Sequence, residues 1–222
     1  MANQLKVIIT GATGMVGEGV LHECLRRDEV GEVLIVNRRP SGFTHPKLTE
    51  IIHTDFFDLS AIEDGLKGYD ACYFCLGISS VGVDADTYYR MTYTLTMHVA
   101  ETLSRLNPAM TFCYVSGAST DSTEQGRVRW ARVKGKTEND LTKLPFKKVY
   151  NFRPAAMIAD KDAKNTPKLY QYLKWLIPVI KLLMPNKIST LQEVGNAMLH
   201  VTLKGYPKTI IEVEDIHAIA KL

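Results

Sequence analysis

Residues 6–17 read Lys-Val-Ile-Ile-Thr-Gly-Ala-Thr-Gly-Met-Val-Gly. A β-branched run, Lys6–Thr10, leads directly into three glycines, Gly11, Gly14 and Gly17, and a helical pattern of apolar residues follows. In such a strand–turn–helix unit the first glycine permits a tight turn, the second lets a pyrophosphate approach the backbone, and the third lets the helix pack against the strand. The stretch therefore predicts a phosphate-binding turn, with the phosphates at the N-terminus of the helix.

Outward from this turn, short apolar runs alternate with helical patterns along the chain. Uninterrupted strands of this kind are typical of parallel sheets that helices cover on both faces. We predict an α/β fold, a Rossmann-like doubly wound parallel sheet flanked by helices, formed by a single domain over residues 1–222. Residues 155–208 are expected to contribute a small cap over the strand ends. The predicted strands are Lys6–Thr10, Val33–Val36, Leu48–His53, Ala71–Leu76, Met110–Val115, Lys148–Phe152 and Thr209–Val213, and the helices after the turn are Leu59–Leu66, Asp86–Leu106, Arg129–Leu141, Leu169–Leu183 and Leu191–Leu203.

The composition excludes several classes of protein. The chain has 222 residues, 45% of them hydrophobic and 23% charged, which excludes a disordered, collagenous or coiled-coil chain. Its net charge of +3 excludes a histone-like protein, and we expect no nucleic-acid partner. None of the six histidines forms a spaced metal-binding pair with another His or Cys. Cys72 and Cys75 form a C-x-x-C in a predicted strand, where the two side chains point to opposite faces, so we predict no metal site.

The sequence predicts neither a signal peptide nor a membrane span. The N-terminus does not have charged, apolar and cleavage regions in signal-peptide order. The most apolar segment, Leu169–Met184, is interrupted by Lys174, Pro178 and Lys181, and it falls short of the ~20 apolar residues that a spanning helix needs. Together with unpaired cysteines, this predicts a cytoplasmic location.

The end of the second predicted strand bears on the choice of dinucleotide. An acid about 20 residues after the glycine turn would accept a hydrogen bond from the 2′-hydroxyl of the adenosine ribose. Asn37 stands there, and Arg38 and Arg39 follow it. Guanidinium groups donate to phosphate oxygens, so we predict that NADP(H) is favoured over NAD(H). A solvated surface position is the alternative for Arg39, and a loop cap is the alternative for Asp55. The candidate cofactor-binding residues are Gly11, Thr13, Gly14, Met15, Val16, Gly17, Asn37, Arg38, Arg39, Asp55, Phe56, Cys75, Leu76 and Gly77.

Further motifs join the glycine turn and the Asn-Arg-Arg strand end. They are Val133–Gly135 with Glu138, Arg153–Pro154, and Glu193–Val194 before Ala197. With them, the chain resembles the short-chain dehydrogenase/reductase superfamily, and more narrowly its atypical, nucleotide-sugar-epimerase-like branch of small NAD(P)H-binding proteins. The resemblance covers most of the chain.

This resemblance implies a catalytic Tyr four residues before a Lys on one helix, with a Ser at the end of the fifth strand. Lys134 matches the Lys, which in the family binds the nicotinamide ribose and lowers the pKa of the Tyr. Position 130 is Trp, whose indole N–H donates only and cannot exchange a proton. Ser116 and Ser119 are available, although the usual Ser position could align with Gly117. The candidate catalytic residues are Lys134, Ser116, Ser119 and Trp130, and Tyr88, Tyr89 or Tyr93 could supply a hydroxyl from another direction.

Two functions follow from this set. The first is an NADP-dependent oxidoreductase or epimerase-like enzyme that acts on a small carbonyl or sugar substrate. The second is a catalytically impaired, dinucleotide-sensing protein that binds a protein partner, and Trp130 favours it. The apolar segment Leu169–Met184 fits a substrate lid or a partner surface, with a core helix as the alternative. A homodimer is compatible with either function.

Overall fold

The alternation of apolar runs and helical patterns produces alternating strands and helices in the computed structural model, which describes residues 4–158, 165 and 188–222. A 3-10 helix spans Ser60–Leu66, and a π-helical turn spans Arg90–Thr94. The strands are β1 (Leu5–Thr10), β2 (Val30–Asn37), β3 (Leu48–Ile52), β4 (Ala71–Phe74), β5 (Thr111–Val115), β6 (Lys148–Phe152), β7 (Ala156–Ile158), β8 (Ile188–Thr190) and β9 (Ile210–Ile211). The helices are α1 (Met15–Arg26), α2 (Ala85–Tyr89), α3 (Leu95–Leu106), α4 (Arg129–Leu141), α5 (Leu191–Lys204) and α6 (Val213–Ile219).

Seven strands form one sheet in the order β3-β2-β1-β4-β5-β6-β9, and every neighbouring pair is parallel. The chain first moves outward from β1 through β2 to β3, and then returns to place β4 on the other side of β1. In open α/β sheets, ligands bind at the carboxyl ends of the strands where the order reverses in this way. The predicted Rossmann-like parallel sheet is confirmed, and the reversal places a crevice beside the glycine turn.

Strand β1 shows how the sheet carries a core on each face. Val7 and Ile9 pack with buried residues of α1, α5 and α6, whereas Ile8 packs with buried residues of α3. All three side chains are buried. Because successive side chains of a strand point to opposite faces, an unbroken apolar run is what a sheet between two helical layers requires.

Of the expected cap, residues 155–208, the structure describes residues 155–158, 165 and 188–208. Helix α5 packs directly on α1, so closely that a Cβ on Gly19 would lie 2.4 Å from the Cβ of Leu191. Strands β7 and β8 form a separate parallel pair that the sequence did not predict. The predicted helix at Leu169–Leu183, and with it the lid or partner surface at Leu169–Met184, lies outside the described residues.

The C-terminal end differs from the prediction of a strand over Thr209–Val213. Only Ile210 and Ile211 are in strand β9, and helix α6 begins at Val213. Glu212 and Asp215 form a capping box, in which each side chain accepts a hydrogen bond from the backbone of the other. This box satisfies N–H groups in the first turn of a helix, so it ends the strand early, and the predicted strand was too long.

Candidate functional site

The three glycines of the turn have different structural roles. Gly11 has a φ of 76°, and a Cβ there would lie 2.8 Å from the backbone of Cys75. A Cβ on Gly17 would lie 2.2 Å from the carbonyl oxygen of Gly11, so both glycines are required by the fold. The nearest atom to a Cβ on Gly14 would be the same oxygen at 3.4 Å. The fold tolerates a side chain at position 14, and a glycine there instead leaves bare backbone exposed to a ligand.

The N-terminus of α1 fits an anion. The helix begins at Met15, and Val16 follows in its first turn. The N-cap residue, Gly14, has no side chain to accept hydrogen bonds from that turn. Free N–H groups and the helix dipole both favour negative charge at such an end. The turn therefore fits the pyrophosphate of a dinucleotide, with Thr13 partly exposed beside it.

Two adjoining cavities bring the predicted strand-end residues together. The first has a volume of ≈ 340 Å³ and the second of ≈ 220 Å³, and they share Arg38, Phe56 and Leu76. Asp55 lines the second cavity, and its Oδ1 also accepts a hydrogen bond from the backbone N–H of Phe57 at 2.9 Å. The first cavity is lined by Gly11, Thr13, Val36, Asn37, Arg38, Arg39, Phe56 and Leu76, and the second by Arg38, Thr54, Asp55, Phe56, Phe57, Leu76, Gly77, Ile78, Met91 and Leu95.

Arg38 and Arg39 supply positive charge to this region. Both are exposed, and both line the larger cavity. Neither forms a hydrogen bond or an ion pair with any residue in the described ranges. Their guanidinium groups are thus available to an external anion, which is the condition that binding of a ribose 2′-phosphate requires.

Lys134 lies on α4, and its side chain reaches the carboxyl end of β5. Its Nζ donates a hydrogen bond to the backbone carbonyl of Ser116. Burial lowers the pKa of Lys134 to about 8, although the nearby carboxylate of Glu138 acts in the opposite direction. The loop that follows β5 approaches α4 so closely that a Cβ on Gly135 would lie 1.8 Å from the carbonyl oxygen of Asp121. Glycine at 135 thus allows the loop to pass beside Lys134.

The Ser116 hydroxyl faces the interior of the protein. It donates to Oε1 of Glu138 at 2.5 Å and lies 3.1 Å from the carbonyl oxygen of Phe152. Glu138 is buried and forms an ion pair with Arg153 at 2.5 Å. The side chain of Ser116, predicted as catalytic, is therefore engaged in a buried polar cluster, while its backbone carbonyl binds Lys134.

Ser119 and Trp130 lie nearer to solvent. Ser119 is exposed and has a φ of 67°, a left-handed conformation that non-glycine residues rarely adopt. Such backbone strain occurs preferentially at binding and catalytic sites. Trp130 lies in the first turn of α4, four residues before Lys134, and is partly buried. The spacing of four puts Trp130 and Lys134 on the same side of the helix.

The three tyrosines that could supply a displaced hydroxyl differ in their surroundings. Tyr88 is 1% exposed, and burial raises its pKa. The hydroxyl of Tyr93 donates to Oδ2 of Asp140 at 2.8 Å, more than one turn beyond Lys134 on α4. Tyr89 is 37% exposed, and its ring centroid lies 4.9 Å from that of Tyr93. Of these three residues, only Tyr89 combines exposure with a hydroxyl that has no partner among the residues described.

The model of the NAD dependent epimerase/dehydratase family matches residues 7–161. This span includes the glycine turn, the strand ends that line both cavities, and Lys134. The chain belongs to the NAD dependent epimerase/dehydratase family. Family membership supports a nicotinamide dinucleotide as the cofactor, in agreement with the fit of the glycine turn.

Relatives of this family member include proteins from animals and fungi. Protein HTATIP2 of Rattus norvegicus is 26% identical over 70% of this chain, and the match spans 64% of the rat protein, less than two thirds of its length. Protein FMP52, mitochondrial, of Chaetomium globosum is 21% identical over 71% of this chain and 68% of the fungal protein. Among solved structures, the Bordetella bronchiseptica enzyme WbmF in complex with NAD+ has a TM-score of 0.69 at 15% identity, covering 98% of this chain and 77% of WbmF.

Two features of this epimerase-family site were missed by sequence reasoning. Glu50, on β3, accepts a hydrogen bond at 2.9 Å from Nδ2 of Asn37, which lines the larger cavity. Glu138 and Arg153 contributed to the sequence analysis only as motif residues of the resemblance. In the structure they form an ion pair, and Glu138 accepts a hydrogen bond from the Ser116 hydroxyl. The alternation of polar and apolar residues along β3 could have indicated Glu50. The register pairs Glu50 with Ile35, and Ile35 lies on the same face of β2 as Asn37, two residues further on.

The described part of the chain contains neither a membrane-spanning helix nor a metal-binding group of side chains. No helix within residues 4–158 and 188–222 is both long and apolar enough to cross a membrane. In the same ranges, no three His, Cys, Asp or Glu side chains are grouped as a metal site would need. The cytoplasmic location stays a prediction, because the names of the fungal relatives include "mitochondrial".

Proposed function

We propose that the chain is an NADP(H)-binding enzyme that acts on a small carbonyl or sugar substrate, by oxidoreductase or epimerase-like chemistry. The observation that carries the proposal is the bare backbone at Gly14, at the free N-terminus of α1, beside a cavity bordered by Arg38 and Arg39. When bound, the nicotinamide supplies or accepts a hydride. The chain's own residues bind, orient and exchange protons around it.

Binding is divided among the ends of four strands. The turn from Gly11 to Gly17 holds the pyrophosphate through its N–H groups. Arg38 and Arg39 hold the ribose 2′-phosphate, since unpaired guanidinium groups offer several donors to phosphate oxygens. Phe56 and Leu76, which border both cavities, flank the adenosine.

Proton exchange depends on Lys134 in this proposal. The spacing to position 130 would normally join it to a Tyr, which Trp130 replaces. With its pKa at about 8, the Lys134 amine exchanges protons near neutral pH. Lys134 therefore holds the nicotinamide ribose and helps to set the protonation of a substrate hydroxyl or carbonyl. Ser119 is exposed on the loop after β5, and we propose that it is the serine that contacts the substrate.

The second candidate is a protein that senses the dinucleotide and binds a partner without efficient turnover. Two observations favour it: indole at position 130 cannot act as an acid or base, and the Ser116 hydroxyl is engaged by Glu138. Under this alternative, Lys134 only holds the ribose.

One set of measurements separates the two candidates. The wild-type chain is titrated calorimetrically with NADPH. Turnover is then followed as NADPH oxidation over a panel of small carbonyls, and as product formation from sugar nucleotides with NADP+, because epimerisation consumes no net cofactor. Binding with turnover that Lys134→Met abolishes supports the enzyme. Binding without turnover on any substrate supports the sensor. An absence of binding overturns both proposals.

Location and assembly belong to the same proposal. We place the chain in the cytoplasm, as its sequence predicts, and treat a homodimer as one assembly compatible with the fold. Fractionation of cells that express the full chain tests the location, because recovery with mitochondria would contradict it. Light scattering of the purified chain tests the assembly.

A further inference from the structure

The side-chain amide of Asn37 is held by a carboxylate on the neighbouring strand. In the register of β2 and β3, Ile35 pairs with Glu50, so Asn37 and Glu50 lie on the same face of the sheet as diagonal neighbours. Nδ2 of Asn37 donates to Oε1 of Glu50 at 2.9 Å, and the backbone N–H of Ser41 donates to the same oxygen at 2.9 Å. Asn37 is 3% exposed and lines the larger cavity.

This contact fixes which end of the Asn37 amide faces Glu50. A carboxylate can only accept hydrogen bonds, so the NH2 group must be turned toward Glu50. The carbonyl oxygen, at the other end of the planar amide, is therefore turned away from Glu50. The carbonyl oxygen of Asn37 is thus left as an acceptor for a ligand, while Glu50 engages the NH2 group.

We propose that Glu50 is a specificity-determining residue, which holds the Asn37 amide as an acceptor toward the cavity and so limits the preference for NADP(H) over NAD(H). The inference rests on the proposed function and refines it. A ribose 2′-hydroxyl donates to an acceptor, whereas a 2′-phosphate is itself an acceptor and gains nothing from one. The negative charge of Glu50 also opposes a phosphate in the same region, against the attraction of Arg38 and Arg39.

The chain therefore presents both kinds of recognition at one strand end. Asn37 provides the acceptor that NAD(H) uses, and the two arginines provide the donors that NADP(H) uses. Both dinucleotides are expected to bind, with NADP(H) moderately tighter. Glu50 acts through Asn37 and through its charge, so it is a positioning residue rather than a direct contact.

Glu50→Gln is the informative substitution, because it keeps the size and the acceptor oxygen that holds Ser41. A Gln side chain can also donate, so the Asn37 amide is free to reverse and to turn its NH2 group toward the cavity. A phosphate would then gain a donor and lose a repulsive charge. A ribose 2′-hydroxyl would lose its fixed acceptor.

The test is calorimetric titration of the wild type and of Glu50→Gln with NADPH and with NADH. A single hydrogen bond changes affinity by a few fold, so we expect NADPH to bind about threefold tighter and NADH about threefold weaker in the variant. Asn37→Ala serves as the second variant, because it removes the acceptor while Glu50 remains. It should weaken NADH binding about threefold more than NADPH binding, so that the preference for NADPH increases.

The outcomes separate this inference from the proposed function. If neither dinucleotide binds the wild type, the proposed function fails and the inference fails with it. If both bind the wild type, but Glu50→Gln leaves their affinity ratio unchanged or weakens both equally, only the inference is overturned. An equal loss would show that Glu50 serves merely to anchor the loop at Ser41. If Glu50→Gln does not fold, an unchanged affinity ratio in Asn37→Ala overturns the inference.

Discussion

The ammonium group of Lys134 donates a hydrogen bond to the backbone carbonyl of Ser116, at the carboxyl end of β5. This contact joins the helix that carries the family Lys to the loop that carries Ser119. Because burial lowers the pKa of Lys134 to about 8, a group that is ordinarily charged at neutral pH becomes titratable there. In the proposed function, the protonation of Lys134 affects both cofactor binding and proton exchange.

The affinity for NADPH should fall as the pH rises through the pKa of Lys134, about 8. The bound dinucleotide is anionic and favours the ammonium form, whereas the neutral amine that predominates at higher pH gives no such attraction. Lys134→Met should bind NADPH more weakly at neutral pH, with little further loss on raising the pH. Lys136→Met, on the same helix but paired with Asp140, is the matched control. Calorimetry with identical pH profiles for the wild type and Lys134→Met would contradict this role.

Trp130→Tyr should increase NADPH oxidation on any substrate that the wild type turns over slowly. A positioned proton donor contributes about 10²–10⁴ in rate, and a phenol at position 130 would stand four residues before Lys134. Trp130→Phe, an aromatic residue without a hydroxyl, should give no gain, and adding Lys134→Ala to Trp130→Tyr should remove it. Steady-state rates on one substrate panel provide the measurement. A wild-type rate near ~10 s⁻¹, typical of working enzymes, would show that another acid is in place and that Tyr89 should be mutated next.

Much of the fold could be predicted because its signals are local. Helix α4 spans Arg129–Leu141 and strand β6 spans Lys148–Phe152, the bounds that periodicity predicted. The errors occurred where a side-chain contact or a pairing between distant parts of the chain determines the bounds of a strand. The capping box of Glu212 with Asp215 ends β9 early, and β7 pairs with β8 across 29 residues of chain between Ile158 and Ile188.

The geometry of the candidate site could be predicted where it depends on the backbone, and less well where side chains compete for partners. The glycine turn and the strand ends lie around common cavities as expected. Sequence spacing gave no sign that the Ser116 hydroxyl would face Glu138, because their contact depends on how β5 and α4 pack. Glu50 was missed as the partner of Asn37 because their contact depends on the register of β2 and β3.

Arg38→Ala should weaken NADPH binding about tenfold or more and leave NADH binding nearly unchanged. A hydrogen bond to a charged group contributes about 1.5–3 kcal/mol, and Arg38 has no partner within the described structure that would otherwise be lost. The melting temperature should stay within a degree or two of the wild type, since an exposed side chain is removed. Arg105→Ala, which removes an exposed arginine paired with Glu63, is the control. Equal losses for both dinucleotides would place Arg38 elsewhere than at the 2′-phosphate.

Glu138→Ala should destabilise the fold by about 3–5 kcal/mol, because it leaves the buried charge of Arg153 without its main partner. The two side chains are only 2% and 9% exposed and are joined at 2.5 Å. The control is Lys143→Ala, which breaks an ion pair with Asp140 through a side chain that is 73% exposed. It should cost less than about 1 kcal/mol. Urea unfolding of both variants gives the comparison, and similar free energies of unfolding would contradict a structural role for the buried pair.

The central claim, that a dinucleotide binds against the bare backbone of the turn, is tested most directly at Gly14. Calorimetric titration with NADPH should show saturable binding by the wild type and a loss of about 100-fold or more in Gly14→Val, because a branched side chain occupies the place of the pyrophosphate. The melting temperature should hardly change, since a Cβ at position 14 meets nothing closer than 3.4 Å. Gly17→Val should instead unfold at a lower temperature, because its Cβ would lie 2.2 Å from the Gly11 oxygen. Equal NADPH affinity in the wild type and in a folded Gly14→Val would contradict the account.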